Sequence, residues 1–208
     1  DAGNNALTGN AANDFINGGA GNDTIDGAAG NDLLVGGAGN DVITGSAGAD
    51  VLRGGAGADN LGGGDGAHQL AGGTGDDTLT GGAGADVFVW SLADRGATGS
   101  PAVDTVATFD NATAGAGGDV LDLRDLLQGE SNGGINAGNL LNYLHFETSG
   151  GNTMVQISSG GGFVNGYNAG AVDQSIVLQG VDLTTGGLTD LQIIQDLLTR
   201  GKLVTDGP

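Results

Sequence analysis

The sequence predicts an all-β chain: a parallel β-solenoid over residues 1–89, closed by a β-rich C-terminal cap over residues 90–208 that ends in a short helix. Three observations predict it. A nine-residue period runs without slippage from Gly9 to Val89. Within each unit, one carboxylate column and one apolar column recur in fixed phase. After Val89 the period stops, and alternating segments followed by one amphipathic stretch take its place.

The repeat comes first. Its nine units open GNAANDFIN, GGAGNDTID and GAAGNDLLV and close GGAGADVFV, and a degenerate unit over residues 1–8 keeps Asn5 and Leu7 in register. Position six reads Asp14, Asp23, Asp32, Asp41, Asp50, Asp59, His68, Asp77, Asp86. Position eight reads Ile16, Ile25, Leu34, Ile43, Leu52, Leu61, Leu70, Leu79, Phe88. Nine residues are too few for a helical repeat, but they fit a Gly-rich turn of six followed by a strand of three with one side chain facing inward. Two such units make one coil, so units n and n+2 stack one strand spacing apart, about 4.8 Å.

Stacking turns the Asp column into two ladders. One holds Asn5, Asp23, Asp41, Asp59 and Asp77; the other holds Asp14, Asp32, Asp50, His68 and Asp86. Carboxylates that close repel by about 1 kcal/mol even at the dielectric of water, so a cation is expected between rungs. Oxygen ligands in a Gly-rich backbone of flexible geometry suit Ca²⁺, and glycine supplies the positive φ and the close backbone approach. The pairs 23/41, 41/59, 59/77, 14/32 and 32/50 are complete, Asn5/Asp23 is weaker, and the two pairs containing His68 are defects, because imidazole is a poor Ca²⁺ ligand. Asp65, three residues before His68, is a substitute ligand for one of them; alternatively His68 is a solvated turn residue where metal binding stops. The strand positions on either side of the apolar column are mixed, as on a solvated face.

Composition narrows the function. Glycine makes up 46 of the 208 residues and proline only 2, which excludes collagen. With 25 acidic against 5 basic residues the net charge is −20, a poor match for nucleic acid or an anionic membrane surface. Of the acids 23 are Asp, the shorter carboxylate of turns and rigid oxygen-ligand sites. The absence of cysteine excludes disulfides, a thiolate nucleophile and thiolate zinc sites. No apolar run is long enough to span a membrane, and the first residues carry no signal-peptide features. The chain begins inside a repeat, as expected of a C-terminal piece of something longer.

The units closely resemble the GGxGxDxUx nonapeptides of the RTX family. That resemblance implies a right-handed parallel β-roll (β-solenoid) holding about five to eight Ca²⁺ ions between turns of adjacent coils. The metal ligands are then Asp14, Asp23, Asp32, Asp41, Asp50, Asp59, Asp77 and Asp86, with Asn5 and Asp65 as lesser candidates, assisted by backbone carbonyls.

In the second half, alternation in residues 153–158 and 175–179 predicts two strands, and residues 139–147 mix turn and strand. The terminal helix has Thr189 as N-cap, Asp190 in its first turn, Leu191, Ile194, Leu197 and Leu198 on one face, and Gly201 as stop. The segment Asp119-Val120-Leu121-Asp122-Leu123, preceded by Asp104 and Asp110, resembles the end of the roll in secreted RTX proteases, where such residues can hold a further Ca²⁺; capping turns account for it equally well. Residues 90–206, through 118–130, Asn142-Tyr143-Leu144 and Ile194-Gln195-Asp196-Leu197-Leu198, resemble the C-terminal target domain of type I secretion substrates, in particular large bacterial RTX adhesins. This implies a secreted or cell-surface protein whose partners are an ABC transporter, a membrane-fusion protein and an outer-membrane channel, with the folded chain a monomer. The alternative is the tail of a secreted protease or lipase.

No catalytic set emerges. The string Gly129-Glu130-Ser131-Asn132-Gly133 fits the G-x-S-x-G elbow but lacks the following helix, and His145 lies in an apolar run near Glu147 as a strand residue. The expectation is a calcium-triggered folding module, not an enzyme.

Overall fold

A computed structural model describes residues 2–127, 137–184 and 186–205. Ten strands follow one another through the repeat: β1 (Ala6–Thr8), β2 (Phe15–Ala20), β3 (Thr24–Asp26), β4 (Leu33–Ala38), β5 (Val42–Ala47), β6 (Val51–Ala56), β7 (Asn60–Asp65), β8 (Gln69–Thr74), β9 (Thr78–Ala83) and β10 (Val87–Ser91). Odd strands pair with odd and even with even, all parallel, and each residue pairs with the one 18 positions on, as Ile43 does with Leu61 and Leu52 with Leu70. Two nonapeptides per coil, wound as a parallel β-solenoid, is therefore the observed architecture. The six-residue turn and three-residue strand need correction: most strands are six residues long, running from position seven of one unit through position three of the next. The first glycines extend the ladder of backbone hydrogen bonds because nothing on them obstructs the neighbouring coil.

The apolar column is the core. Ile25, Leu34, Ile43, Leu52, Leu61, Leu70, Leu79 and Phe88 are all fully buried, one stacked on the next across the two sheets. Glycine prevails at position two, where coils touch, while Ala28 and Ser46 hold that position in their units at the smaller φ of 73° and 78°. Gly55 has φ +120°, and a Cβ there would fall on the Gly37 carbonyl oxygen of the preceding coil, well inside contact distance. Gly55→Ala is accordingly expected to cost about 2 kcal/mol, because the backbone must shift toward the φ that Ser46 adopts before a Cβ clears the Gly37 carbonyl oxygen. Urea unfolding in saturating Ca²⁺ checks it, with Ala56→Gly on the exposed end of β6 as the mild control.

The cap continues both sheets. Strand β11 (Ala102–Thr108) adds beside β9, with Val106 opposite Leu79, and β12 (Val120–Asp125) adds beside β10, with Leu121 opposite Phe88. The coil thus goes on, but its rise through sequence lengthens to 27 and 33 residues. Next come α1 (Ala137–Leu140), the antiparallel hairpin β13 (Leu144–Ser149) and β14 (Asn152–Ile157), β15 (Gln174–Leu178), α2 (Asp190–Thr199) and β16 (Leu203–Val204). One sheet ends β11-β15-β14-β13 and the other β10-β12-β16. The terminal helix forms as its sequence predicts: Thr189 and Gln192 make a reciprocal capping box, and Ile193, Ile194 and Leu197 are buried. The strands predicted at 153–158 and 175–179 are β14 and β15. The Gly129–Gly133 string lies outside the described residues, as do Asp1 and Asp206. Among the described residues, no helix is long and apolar enough to cross a membrane.

Candidate metal ladders

Position six of each unit sits at the turn where the chain passes from one sheet to the other, and its side chain points back along the stack. One carboxylate oxygen is committed to the protein. Asp41 Oδ1 accepts the Asp23 N–H at 2.7 Å, Asp59 Oδ1 that of Asp41 at 2.7 Å, and Asp77 Oδ1 that of Asp59 at 2.8 Å. The first ladder begins with the Asn5 N–H on Asp23 Oδ1, 2.7 Å. In the second, Asp14 donates to Asp32 and Asp32 to Asp50, at 2.8 and 2.9 Å. The ladders therefore pair as the 18-residue register requires, and main-chain donors offset part of the repulsion between rungs.

The other oxygen is not provided for. Oδ2 of Asp23, Asp32, Asp41, Asp50, Asp59, Asp77 and Asp86 is buried and has no hydrogen-bond partner. Each lies in a cradle that only glycine leaves open: a Cβ on Gly36 would stand 2.7 Å from the Gly54 carbonyl oxygen and closer still to Asp41 Oδ2. Carboxylate and carbonyl thus face one small space between adjacent coils. Burial is the principal reason that the carboxyls of Asp59 and Asp77 are pushed up to about 6, against hydrogen bonds from Asp41 and Asp59 that lower them; neighbouring carboxylates raise them further. Asp41 and Asp86 shift the same way, also chiefly through burial.

A buried anionic oxygen with no donor demands a cation or a proton. Among the described residues, no group of three His, Cys, Asp or Glu side chains is placed to hold a metal ion, so an ion here takes one carboxylate oxygen per step and completes its shell with backbone carbonyls. That donor set is all oxygen and loosely arranged, which fits Ca²⁺ rather than Zn²⁺ or a strictly octahedral Mg²⁺.

Both ladders end on rungs that need no metal. Asp104 continues the first, its Oδ1 accepting the Asp77 N–H at 2.8 Å, but its Oδ2 accepts from Trp90 Nε1 at 2.6 Å and Gln174 Nε2 at 2.8 Å. Burial nevertheless lifts its carboxyl to about 6. Asp119 continues the second, with Oδ1 on the Asp86 N–H at 3.0 Å and Oδ2 on the Asp110 N–H at 2.7 Å. Beside it the fully buried Lys202, the only lysine in the chain, places Nζ 2.7 Å from the carbonyl oxygens of both Asp110 and Asp119. At the other end Asp14 is half-buried and bonded to Asn10 through both oxygens.

The remaining candidates divide. His68 is not a solvated turn residue: it is 2 % exposed and occupies its rung, with Nδ1 3.2 Å from the Asp50 N–H donor and its own N–H on Asp86 Oδ1. Nδ1 also lies 3.4 Å from Asp50 Oδ2, so the imidazole stands where the next carboxylate is missing. Asp65 is exposed at the end of β7, outside the ladder, and cannot replace His68 there. Asp122 is drawn off by Arg124, whose Nε and Nη2 donate to its two oxygens at 2.9 and 2.5 Å. A further column escaped the sequence reading. Position-five asparagines bond forward across coils, Asn22 Oδ1 accepting the Asn40 N–H at 3.0 Å and Asn40 Oδ1 that of Ala58 at 2.9 Å. The alignment of Asn4, Asn13, Asn22, Asn31 and Asn40 was the signal for it.

A parallel roll with carboxylate ladders between its coils is the class that fold and site define. Residues 1–34, 35–67 and 62–89 match the family model of the RTX calcium-binding nonapeptide repeat (4 copies). The first 89 residues are thus a β-roll module of calcium-binding repeats. No curated protein matches the chain. Two similar solved structures are the R2 and R3 subunits of the mannuronan C5-epimerase AlgE6 from Azotobacter vinelandii. The R2 subunit is 20% identical, with 97% of this chain and 93% of that one covered and a TM-score of 0.40. The R3 subunit is 24% identical, with 81% and 71% covered and a TM-score of 0.35.

Proposed function

We propose that this chain is a calcium-gated folding module joined to the C-terminal secretion signal of a type I-secreted RTX adhesin. The observation that carries the gating is the row of seven buried carboxylate oxygens without a donor. Where Ca²⁺ is scarce, those oxygens and a glycine-rich backbone oppose folding, and the chain stays extended enough to be transported. Where Ca²⁺ is millimolar, each ion joins two coils, and its binding free energy becomes folding free energy. The residues serve binding and folding, and no catalytic role is assigned to any of them.

Export rests on different support. Residues 90–206 resemble the target domain of type I substrates, and a protein that crosses to the exterior unfolded is served by an absence of cysteine and by a fold that waits for external Ca²⁺. The transporter, membrane-fusion protein and outer-membrane channel are the partners this reading requires, and the cell surface is its destination.

Far-UV circular dichroism during a Ca²⁺ titration, with Mg²⁺ as control and calorimetry to count ions, tests the module. The expected result is a cooperative gain of β signal as about seven ions bind, one for each unpaired oxygen, and little response to Mg²⁺. A complete β signal in chelator at neutral pH would sink the gating.

A further inference from the structure

The outward face of the cap's antiparallel strands carries a cleft that the ladders do not use. Leu144 and Phe146 on β13, Val155 and Ile157 on β14, and Ile176 and Leu178 on β15 turn into the core, so the residues between them face out. The register sets three of these in one row across the sheet, Glu147 opposite Met154 and Met154 opposite Val177. Around the row lies a cleft of about 460 Å³ lined by Glu147, Thr148, Ser149, Asn152, Met154 and Val177. The turn after β15 fixes its rim: the Gly180 N–H donates to Asn152 Oδ1 at 2.9 Å, and the hydroxyls of Thr148 and Thr184 share a hydrogen bond of 2.6 Å. Two residues back along β13, His145 is held with Nδ1 2.7 Å from Asp190 Oδ2 and is stacked on Tyr167.

One end of the row is acidic and the rest is apolar. The Glu147 side chain is 52% exposed and has His145 Nε2, at 3.4 Å, as its one partner among the described residues, while a carboxylate has room for several donors. Met154 and Val177 follow at one strand spacing each, so the row runs about 10 Å from the carboxylate strand to Val177. Gln156, on the same face as Met154, gives its Nε2 to Met154 Sδ at 3.6 Å and keeps a buried Oε1 without a donor. The charged group and the buried unpaired oxygen are both acceptors, which asks for a ligand that brings donors and positive charge. The chain itself does not supply one. Arg95, Arg124 and Arg200 are engaged by Asp173, Asp122 and Asp196, Lys202 is buried at the end of the second ladder, and Arg53 lies on β6 of the other sheet. A chain of net charge −20 draws cations to it, and seven bound Ca²⁺ ions leave it acidic.

We propose that this cleft binds a primary alkylammonium, presented as a lysine side chain of a partner protein, with the ammonium on Glu147 and the methylene stem along Met154 and Val177. Such a stem covers apolar surface while its head stays at the wet edge. The three ammonium donors point in different directions, which suits a carboxylate beside the hydroxyls of Thr148 and Ser149. A free diamine is the poorer occupant: beyond Val177 the row continues to Thr105 and Thr78 without a second carboxylate, so its other charge stays unpaired.

The chain has a single methionine, so the methyl signal of Met154 in NMR reads the floor of the cleft alone. The full chain, saturated with Ca²⁺ and carrying methyl-labelled methionine, is titrated with N-acetyl-lysine methylamide at neutral pH and constant ionic strength. The expected result is a Met154 shift that saturates, with binding about fivefold weaker in Glu147→Gln. That substitution is isosteric and on the surface, so the fold is preserved. Asp65→Asn, which removes the same charge from an exposed position on β7, should bind as the unchanged chain does. The norleucine counterpart keeps the stem without the ammonium and should bind no better than the lysine derivative binds Glu147→Gln. Absence of a saturating shift, equal binding of the norleucine counterpart, the same affinity in Glu147→Gln as in Asp65→Asn, or tighter binding of cadaverine than of the lysine derivative would each overturn the proposal.

Discussion

Acid is expected to fold the roll without calcium. In chelator at neutral pH the β signal is weak, and lowering the pH to about 4.5 restores most of it, because the buried ladder carboxyls take up protons well above the ordinary Asp range. Asp59, Asp77 and Asp104 stand at about 6 in the metal-free fold against 3.8 for an unperturbed Asp, with burial as the first cause. Asp41, Asp86 and Asp119 move in the same direction for the same reason. The folded state then binds more protons than the unfolded state between those limits. Its stability is fully present below pH 3.8 and is lost as the pH rises through about 6. Protons and Ca²⁺ compete for one oxygen, so added Ca²⁺ should change little at the acid end and much at neutral pH. Circular dichroism against pH, with and without chelator, decides it.

General charge would give a similar trend, since a net charge of −20 disfavours any compact state. A pair of isosteric substitutions separates the two causes. Asp59→Asn neutralises a buried rung and should recover part of the β signal in chelator at neutral pH. Asp65→Asn removes the same charge from an exposed position and should not. If both variants respond alike, the ladders are not the origin of the pH dependence.

What made the ladders readable is that each rung repeats its neighbour's local sequence. Asp23 through Asp86, and Ile25 through Phe88, lie at a fixed spacing, and a parallel register of 18 follows directly from nine residues per unit. The same columns go on through Asp104 and Val106, and through Asp119 and Leu121; the sequence singles out both Asp residues, yet nothing local marks them as the next rungs. Loops 92–101 and 109–119 stretch the coil to 27 and 33 residues, and once the spacing varies, only three-dimensional pairing identifies the rung. Asp122 illustrates the converse. It has the composition of a ligand, but an arginine two residues on is better placed to take its charge. The His145–Asp190 contact joins residues 45 apart through a helix cap, a relation that no periodicity encodes.

Lys202 brings these points together in a second prediction. It looks in sequence like an ordinary charge behind a terminal helix, and it is instead the tethered cation at the end of the second ladder. Its ammonium is fully buried on the carbonyls of Asp110 and Asp119, with the Phe109 ring 5.5 Å away, and burial lowers its affinity for a proton while Asp119 and Asp110 oppose that shift. A chelator removes Ca²⁺ but cannot remove this ion. In chelator, hydrogen exchange should therefore leave β12, β16 and α2 the most protected elements, with β2 to β8 exchanging freely. Lys202→Met should abolish that residual protection and cost about 3 kcal/mol even in saturating Ca²⁺, because two buried carbonyls and the Asp119 carboxylate lose their cation. A rung variant such as Asp59→Ala should instead show a deficit that varies with Ca²⁺ concentration. Equal calcium sensitivity in the two variants would mean that Lys202 does not serve as the fixed end of the ladder. If the contrast holds, the roll has an order of assembly: the C-terminal end carries its own counterion, and each earlier coil awaits an ion before it can stack on the next.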